Sequence, residues 1–250
     1  MMNDKRGDKM YKTQILDNRD RSHLDQAAEL MAQGEIVAFG FNCIFVFIGD
    51  ADQEIAANRI AAVKQQPLDK TLALVCAPDY LAEFVDLAAP AFRYHVFDKV
   101  QQLQREAHSL GVILPAARTG IPAYMTLNGT ILNVWMEYPP HHPSRYLQDQ
   151  LRQRGARAFI GSSANRHGEP TYVDPLQTLR VFGGAIPAIF AHGLCSIPLF
   201  RRQSATLIDL TGEFPRLVRR GSVPVEELQA HLNRVGLRQL LIEEPVPQIL

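Results

Sequence analysis

The side chains best suited to chemistry lie in the run from Phe159 to Thr171, where an apolar stretch ends in small, hydroxyl and amide residues. Glycines in the run give the backbone conformational freedom. Ser162, Ser163 and Asn165 offer short hydrogen-bond donors and acceptors that suit a phosphate, a carboxylate or a sugar hydroxyl. The pattern predicts a strand that ends in a binding site. A cluster of Gly, Ser and Asn is also typical of an ordinary turn, and that alternative stays open.

Two lysines, Lys64 and Lys70, flank a loop that contains Pro67. A lysine ammonium is a compact point charge that tolerates varied oxygen geometry, so both residues are candidates for binding the phosphates of a nucleotide. A lysine at the end of a helix can instead interact with the helix dipole.

The polar run also resembles a known signature. Ser163-Ala164-Asn165, followed by Gly168-Glu169-Pro170-Thr171, resembles the S-A-N-x-S-G-E-P-T motif of the YrdC-like family, whose members include the L-threonylcarbamoyladenylate synthases. Residues 206–212 and 215–221 resemble the family segments S-T-V-V-D-L-T-G and I-L-R-x-G. Residues 64–72 resemble K-x-R-P-x-x-K-P-L. The resemblance covers about Asp25 to Leu232.

This resemblance implies a nucleotide and substrate site, whose retained residues are Lys64, Lys70, Ser163, Asn165, Thr206 and Arg219. No catalytic residue is assigned. The family positions of one hydroxyl motif, two arginines and one serine hold other residues here, namely Cys43, Gln66, Tyr138 and Ala205. Each lost charged contact costs about 1.5–3 kcal/mol. The substitutions therefore predict that synthase activity is weakened or altered.

Two functions follow as hypotheses. The first is a divergent enzyme of the threonylcarbamoyl-AMP synthase type, an adenylate-forming nucleotidyltransferase in the tRNA threonylcarbamoyladenosine pathway. It would use ATP as a substrate, with Mg²⁺, together with bicarbonate and L-threonine or a more apolar acid, and would have no tightly bound cofactor. The second is a catalytically silent module that binds double-stranded RNA or tRNA. Basic residues near the predicted helix 147–155 are its candidate contacts, unless they form a solvated helix face: Arg145, Arg152, Arg154 and Arg157.

Composition sets limits on the other classes of protein. The 250 residues are 46% hydrophobic, and 26 basic residues balance 26 acidic ones, so net charge indicates neither a nucleic-acid partner nor a membrane partner. Three separated cysteines form no C-x-x-C pair, which argues against a disulfide scaffold and favours a reducing cytoplasm. His141 and His142 are adjacent in a proline loop, a spacing that does not aim both at one metal ion, and no metal site is predicted.

The surrounding pattern predicts the elements that position the site. Apolar spacing predicts helices over 22–34, 56–63, 81–104 with an interruption at Pro90, 174–182 and 225–232, and strands over 35–39, 71–76, 111–115 and 185–190. The apolar run 43–48 is a second buried strand or a turn packed beneath the first. Alternating helices and strands indicate the α/β class. The resemblance implies a twisted mixed, largely parallel sheet around a concave cavity, flanked by helices. We predict a polar tail over 1–21, one domain over 22–235 and a C-terminal tail over 236–250.

Overall fold

The computed structural model describes residues 10–41, 44–107, 109–135, 143–191 and 203–242. Eleven strands of these ranges form one sheet. The strands are β1 (Gln14–Leu16), β2 (Val37–Gly40), β3 (Phe45–Asp50), β4 (Ala73–Val75), β5 (Leu110–Pro115), β6 (Thr126–Leu127), β7 (Thr130–Trp135), β8 (Phe159–Ser163), β9 (Ala188–Phe190), β10 (Thr206–Asp209) and β11 (Arg216–Arg219). The helices are α1 (Arg21–Ala32), α2 (Glu54–Lys64), α3 (Phe97–Glu106), α4 (Pro143–Gln153), α5 (Pro175–Phe182) and α6 (Val225–Val235).

The strand order across the sheet is β1-β9-β2-β3-β8-β4-β7-β5-β10-β11, and β6 pairs with β7 outside this path. Parallel pairs join β1 to β9, β9 to β2, β4 to β7 and β5 to β10. The other described pairs are antiparallel. This mixed sheet with flanking helices confirms the predicted α/β class.

Strand alternation divides the core into layers on opposite faces of the sheet. In β2, Val37 and Phe39 belong to one buried cluster with α1, while Ala38 belongs to a second cluster with α2, α3 and α6. Successive side chains of a strand point to opposite faces, so apolar residues at every position of β2 require cover on both sides. The helices supply this cover.

Local sequence accounts for several helix ends. Asp20 caps α1 by accepting a hydrogen bond from the backbone NH of Ser22. Asp174 caps α5 in the same way, by accepting from the backbone NH of Leu176. At the end of α2, Gln65 adopts a left-handed conformation with φ of 54°, which turns the chain sharply after Lys64.

The predicted N-terminal tail and the predicted helix over 81–104 require correction. Part of the predicted N-terminal tail is an edge strand, because Gln14–Leu16 pairs in parallel with Ala188–Phe190. The predicted helix over 81–104 is instead two short 3-10 helices, Pro78–Glu83 and Pro90–Arg93, followed by α3. Proline begins each 3-10 helix and has no backbone NH to continue a longer one.

The C-terminal segment is also partly packed. Leu237 and Leu240 are buried, and Leu241 forms a bridge with Arg216 at the β11 edge, so the predicted tail does not begin at residue 236. Within the described ranges, no helix is both long and apolar enough to cross a membrane.

Candidate functional site

A cavity of about 410 Å³ lies against one face of the sheet. Its floor consists of side chains from successive strands that share this face: Val46, Ala73, Val75, Ile113, Leu132 and Val134. The register accounts for their alignment, since Val46 is opposite Ser163, and Ile113 is opposite Leu132. Gly161 and Ala73 also face each other at the centre, where small side chains leave space. The strands therefore build a concave, apolar floor.

Polar and charged side chains surround this floor, including four of the predicted residues: Lys70, Ser163, Asn165 and Arg219. Among the described residues, the Lys70 ammonium has no ion pair or hydrogen bond, and neither do the hydroxyl groups of Ser162 and Ser163. The Arg219 guanidinium donates to the backbone oxygen of Ala205, from Nε at 3.2 Å and from a terminal nitrogen at 3.0 Å. The site thus offers cations and hydroxyl donors that can contact an anion.

Lys64 lines the cavity but is only 3% exposed. Its Nζ donates to the backbone oxygens of Ser163 and Asn165 and to Asn165 Oδ1. Burial, with a smaller effect from the charge of Lys70, lowers the pKa of Lys64 to about 8. In this arrangement Lys64 holds the loop after β8 in place, a role that differs from the predicted phosphate contact.

Asn165 completes the same loop from the other side. Its Nδ2 donates to the backbone oxygens of Arg166 at 3.0 Å and of Glu169 at 2.6 Å. The backbone NH of His167 donates to the Lys64 oxygen at 3.0 Å. The loop that resembles the family signature is therefore shaped by its own amide and by the end of α2.

Thr206 lies outside the cavity and is fully buried. Its hydroxyl donates to the backbone oxygen of Val223 at 2.7 Å and accepts from the Val223 NH at 3.0 Å. The prediction that Thr206 belongs to the binding site is therefore not supported by its position. Ser204 and Thr171 line the cavity nearby, and their hydroxyl groups lie 3.1 Å apart.

The substituted family positions also fall in different places. Gln66 is 8% exposed and is absent from the cavity lining, and neither of its side-chain polar atoms has a hydrogen-bond partner among the described residues. Ala205 lines the cavity with a methyl group. Cys43, Tyr138, His141 and His142 lie outside the described residues.

The arginines near α4, candidates for RNA contact, are paired with acids. Arg145 bonds Asp149 at 3.2 Å and also pairs with Asp79, Arg152 bonds Glu83 at 2.8 Å, and Arg154 bonds Glu29 at 3.2 Å. Arg157 Nε bonds Asp52 at 2.9 Å. A nucleic-acid phosphate would compete with these carboxylates, so the geometry gives no support to this face as an RNA surface.

Within the described part of the chain, no group of three or more His, Cys, Asp or Glu is arranged to hold a metal ion. These ranges therefore do not bring together the three or more carboxylate, imidazole or thiolate ligands with which a protein holds a metal ion.

The sequence reasoning missed the strand that supplies much of the floor. Leu132 and Val134 lie in β7, which pairs with β6 through a two-residue turn at Asn128 and Gly129. Both turn residues have positive φ, 51° and 76°. Asn-Gly is the strongest short-range signal for such a hairpin, so this strand could have been recognised from the sequence.

Comparisons with known proteins agree with this architecture. The family model for Sua5, YciO and YrdC, described as telomere recombination, matches residues 29–221. A threonylcarbamoyl-AMP synthase of Pyrococcus abyssi is 26% identical over 213 residues, which is 84% of this chain and 57% of that protein. The Bacillus subtilis protein of the same name is 24% identical over 221 residues, or 88% of this chain and 59% of that protein. The chain thus spans under three fifths of the length of these relatives.

Solved structures share the fold. P. abyssi Sua5 in complex with L-threonine has a TM-score of 0.71 at 22% identity, covering 89% of this chain and 60% of that chain. Escherichia coli YciO has a TM-score of 0.68 at 19% identity, covering 86% and 99%. Because the family model matches more than half of the sequence, and the motifs of residues 163–171 and 206–221 lie in or beside the cavity, the chain belongs to the Sua5/YciO/YrdC family.

Proposed function

We propose that this protein binds a nucleotide in the cavity and is a divergent relative of the threonylcarbamoyl-AMP synthases, with weakened or altered synthase activity. The observation that carries the proposal is the Lys70 ammonium, which has no ion pair or hydrogen bond with any described residue and lines the same cavity as the Ser163 hydroxyl and the Arg219 guanidinium. Cations and hydroxyl donors fixed around one space can hold phosphate oxygens in an oriented position.

Activity is expected to be weakened because few cations of the described residues are placed to contact a ligand in the cavity. Lys64 already donates to three oxygens of its own loop. Gln66, at a position where the family has an arginine, is neutral and does not line the cavity. A triphosphate and a carbamate held together need several fixed cations at once, and each missing charged contact costs about 1.5–3 kcal/mol.

Mg²⁺ would enter this site with ATP as part of the substrate, bound chiefly by phosphate oxygens. Of the lining residues, Glu169 is the carboxylate, and it accepts a hydrogen bond from the Tyr172 hydroxyl. The protein's own contribution would be to orient the nucleotide through Lys70, Arg219 and the hydroxyl groups.

Calorimetric titration with ATP and Mg²⁺ tests the binding proposal, and pyrophosphate release with L-threonine and bicarbonate present tests the activity. Binding with little or no pyrophosphate is the expected result. Absence of nucleotide binding, together with salt-sensitive binding of double-stranded RNA or tRNA, would instead favour the silent RNA-binding alternative.

A further inference from the structure

The centre of the cavity floor offers a ligand only hydrocarbon. Side chains of four strands contribute to it, and none carries a polar atom: Val46, Ala73, Val75, Ile113, Leu132 and Val134. The strands to which they belong are paired with neighbours on both sides, so their backbone groups bond within the sheet. All four strands are described without gaps, so the composition of this part of the floor is known.

Polar groups are confined to the surroundings of this floor. Lys70 and Thr71 precede β4, Ser163 ends β8, and Arg219 ends β11. Thr130, at the start of β7, directs its hydroxyl to the backbone oxygen of Leu127 at 2.7 Å. A ligand that follows this pattern has charged groups at its edge and an apolar part over the sheet.

The chemistry of the floor discriminates between similar ligands. Away from Ser163, which lies opposite Val46, a hydroxyl group placed on this floor would give up its hydrogen bonds to water and find no side-chain partner, whereas a methyl group would lose no hydrogen bond. Burying the methyl group is in addition favourable, because it removes apolar surface from water. The phosphates, the sugar and the edges of the base of the nucleotide all carry polar atoms and match this floor poorly, whereas the hydrocarbon of a small acid matches it.

We propose that the small acid bound beside the nucleotide carries a branched hydrocarbon side chain, of the size of L-valine, in preference to the hydroxyl-bearing side chain of L-threonine. This inference rests on the proposed nucleotide site and names the class of acid that the site selects. L-Valine and L-threonine have nearly the same shape and differ by a methyl group against a hydroxyl group, so they form a matched pair of probes.

The test is calorimetric titration of the full chain, first with ATP and Mg²⁺ and then, at saturating ATP and with bicarbonate, with each amino acid. We expect L-valine to bind about tenfold to a hundredfold more tightly than L-threonine, the range in which an apolar pocket rejects an added hydroxyl. ATP binding with equal or tighter binding of L-threonine, or with no binding of either amino acid, overturns the inference and leaves the proposed function standing. Absence of ATP binding overturns both.

A substitution on the floor tests whether the floor is the part of the site that distinguishes L-valine from L-threonine. Val134→Thr places a hydroxyl there at nearly constant volume and is expected to reduce the preference for L-valine at least threefold. Val96→Thr, at a half-exposed position outside the cavity, is the matched control and should leave the ratio unchanged. An unchanged ratio in a folded Val134→Thr protein would contradict the floor assignment. Should that variant not fold, the amino-acid pair on the unmodified chain still decides.

Discussion

The Lys64 ammonium lies 2.7 Å from the backbone oxygen of Asn165 and 3.2 Å from its Oδ1, although 101 positions separate the two residues in the sequence. Lys64 ends α2, and Asn165 follows β8, so this contact joins a helix end to the loop beside the cavity. It assigns to Lys64 the positioning of the loop, and leaves the contact with a bound anion to Lys70.

Replacing Lys64 should therefore affect stability first. We expect Lys64→Met to lower the free energy of unfolding by about 2 kcal/mol or more, because buried oxygens of Ser163 and Asn165 lose their donor at about 1–3 kcal/mol each. Lys70→Met, which removes a partly exposed and unpaired ammonium, should change it by no more than about 0.5 kcal/mol. Urea unfolding of both variants measures the difference, and equal effects would contradict the assignment.

The lowered pKa of Lys64 predicts a pH dependence. An unfolded lysine has its ordinary pKa of 10.5, while the folded value is about 8. Between these values the unfolded chain binds more protons, so this residue makes the free energy of unfolding rise as pH rises from 8 to 10.5. Below pH 8 Lys64 is protonated in both the folded and the unfolded state, so the free energy of unfolding is lowered by the full cost of burying its charge. The unfolding free energy of the unmodified chain minus that of Lys64→Met should rise across this window. A flat difference would show that burial does not lower the pKa of Lys64.

Gly221 is packed against the segment that carries Ala205 into the cavity. A Cβ at this position would lie 2.5 Å from the Ala205 carbonyl carbon and 2.5 Å from the Thr206 nitrogen, far inside contact distance. These are backbone atoms, so the strand would have to move. We expect Gly221→Ala to destabilise the fold by about 1–3 kcal/mol and to weaken ligand binding.

The matched control is Gly212→Ala, because a Cβ there meets open space. Its melting temperature should stay close to that of the unmodified chain. Thermal unfolding of the two glycine variants side by side gives the comparison. Similar melting temperatures would contradict the prediction, because they would mean that the backbone of residues 204–206 moves aside at little cost.

Local rules predicted much of the framework. The apolar spacing that predicted a helix over 22–34 and a strand over 71–76 depends on neighbours in sequence, and the structure has both elements, as α1 and β4. Several strand bounds are displaced by one or two residues, since β2 begins at Val37 and β3 extends to Asp50. Such ends depend on pairing between strands, which spacing alone does not fix.

The roles of the site residues could be predicted less well, because they depend on contacts distant in sequence. Lys64 and Lys70 look equivalent in a motif, yet the left-handed turn at Gln65 accompanies a buried Lys64 bonded to residues 163–165. The Lys70 ammonium, in contrast, bonds none of the described residues. Thr206 matches a family threonine, yet its hydroxyl bonds Val223, 17 residues later. A motif identifies which residues cluster, whereas the structure decides which of them can contact a ligand.

The central claim is that a nucleotide binds in this cavity through Lys70. Calorimetric titration with ATP and Mg²⁺ of the unmodified chain, of Lys70→Gln and of Lys12→Gln, which removes an exposed lysine outside the cavity, tests it most directly. We expect binding that Lys70→Gln weakens at least about tenfold and that Lys12→Gln leaves unchanged, since a charged contact is worth about 1.5–3 kcal/mol. No binding to the unmodified chain, or equal affinity in all three proteins, would contradict the claim.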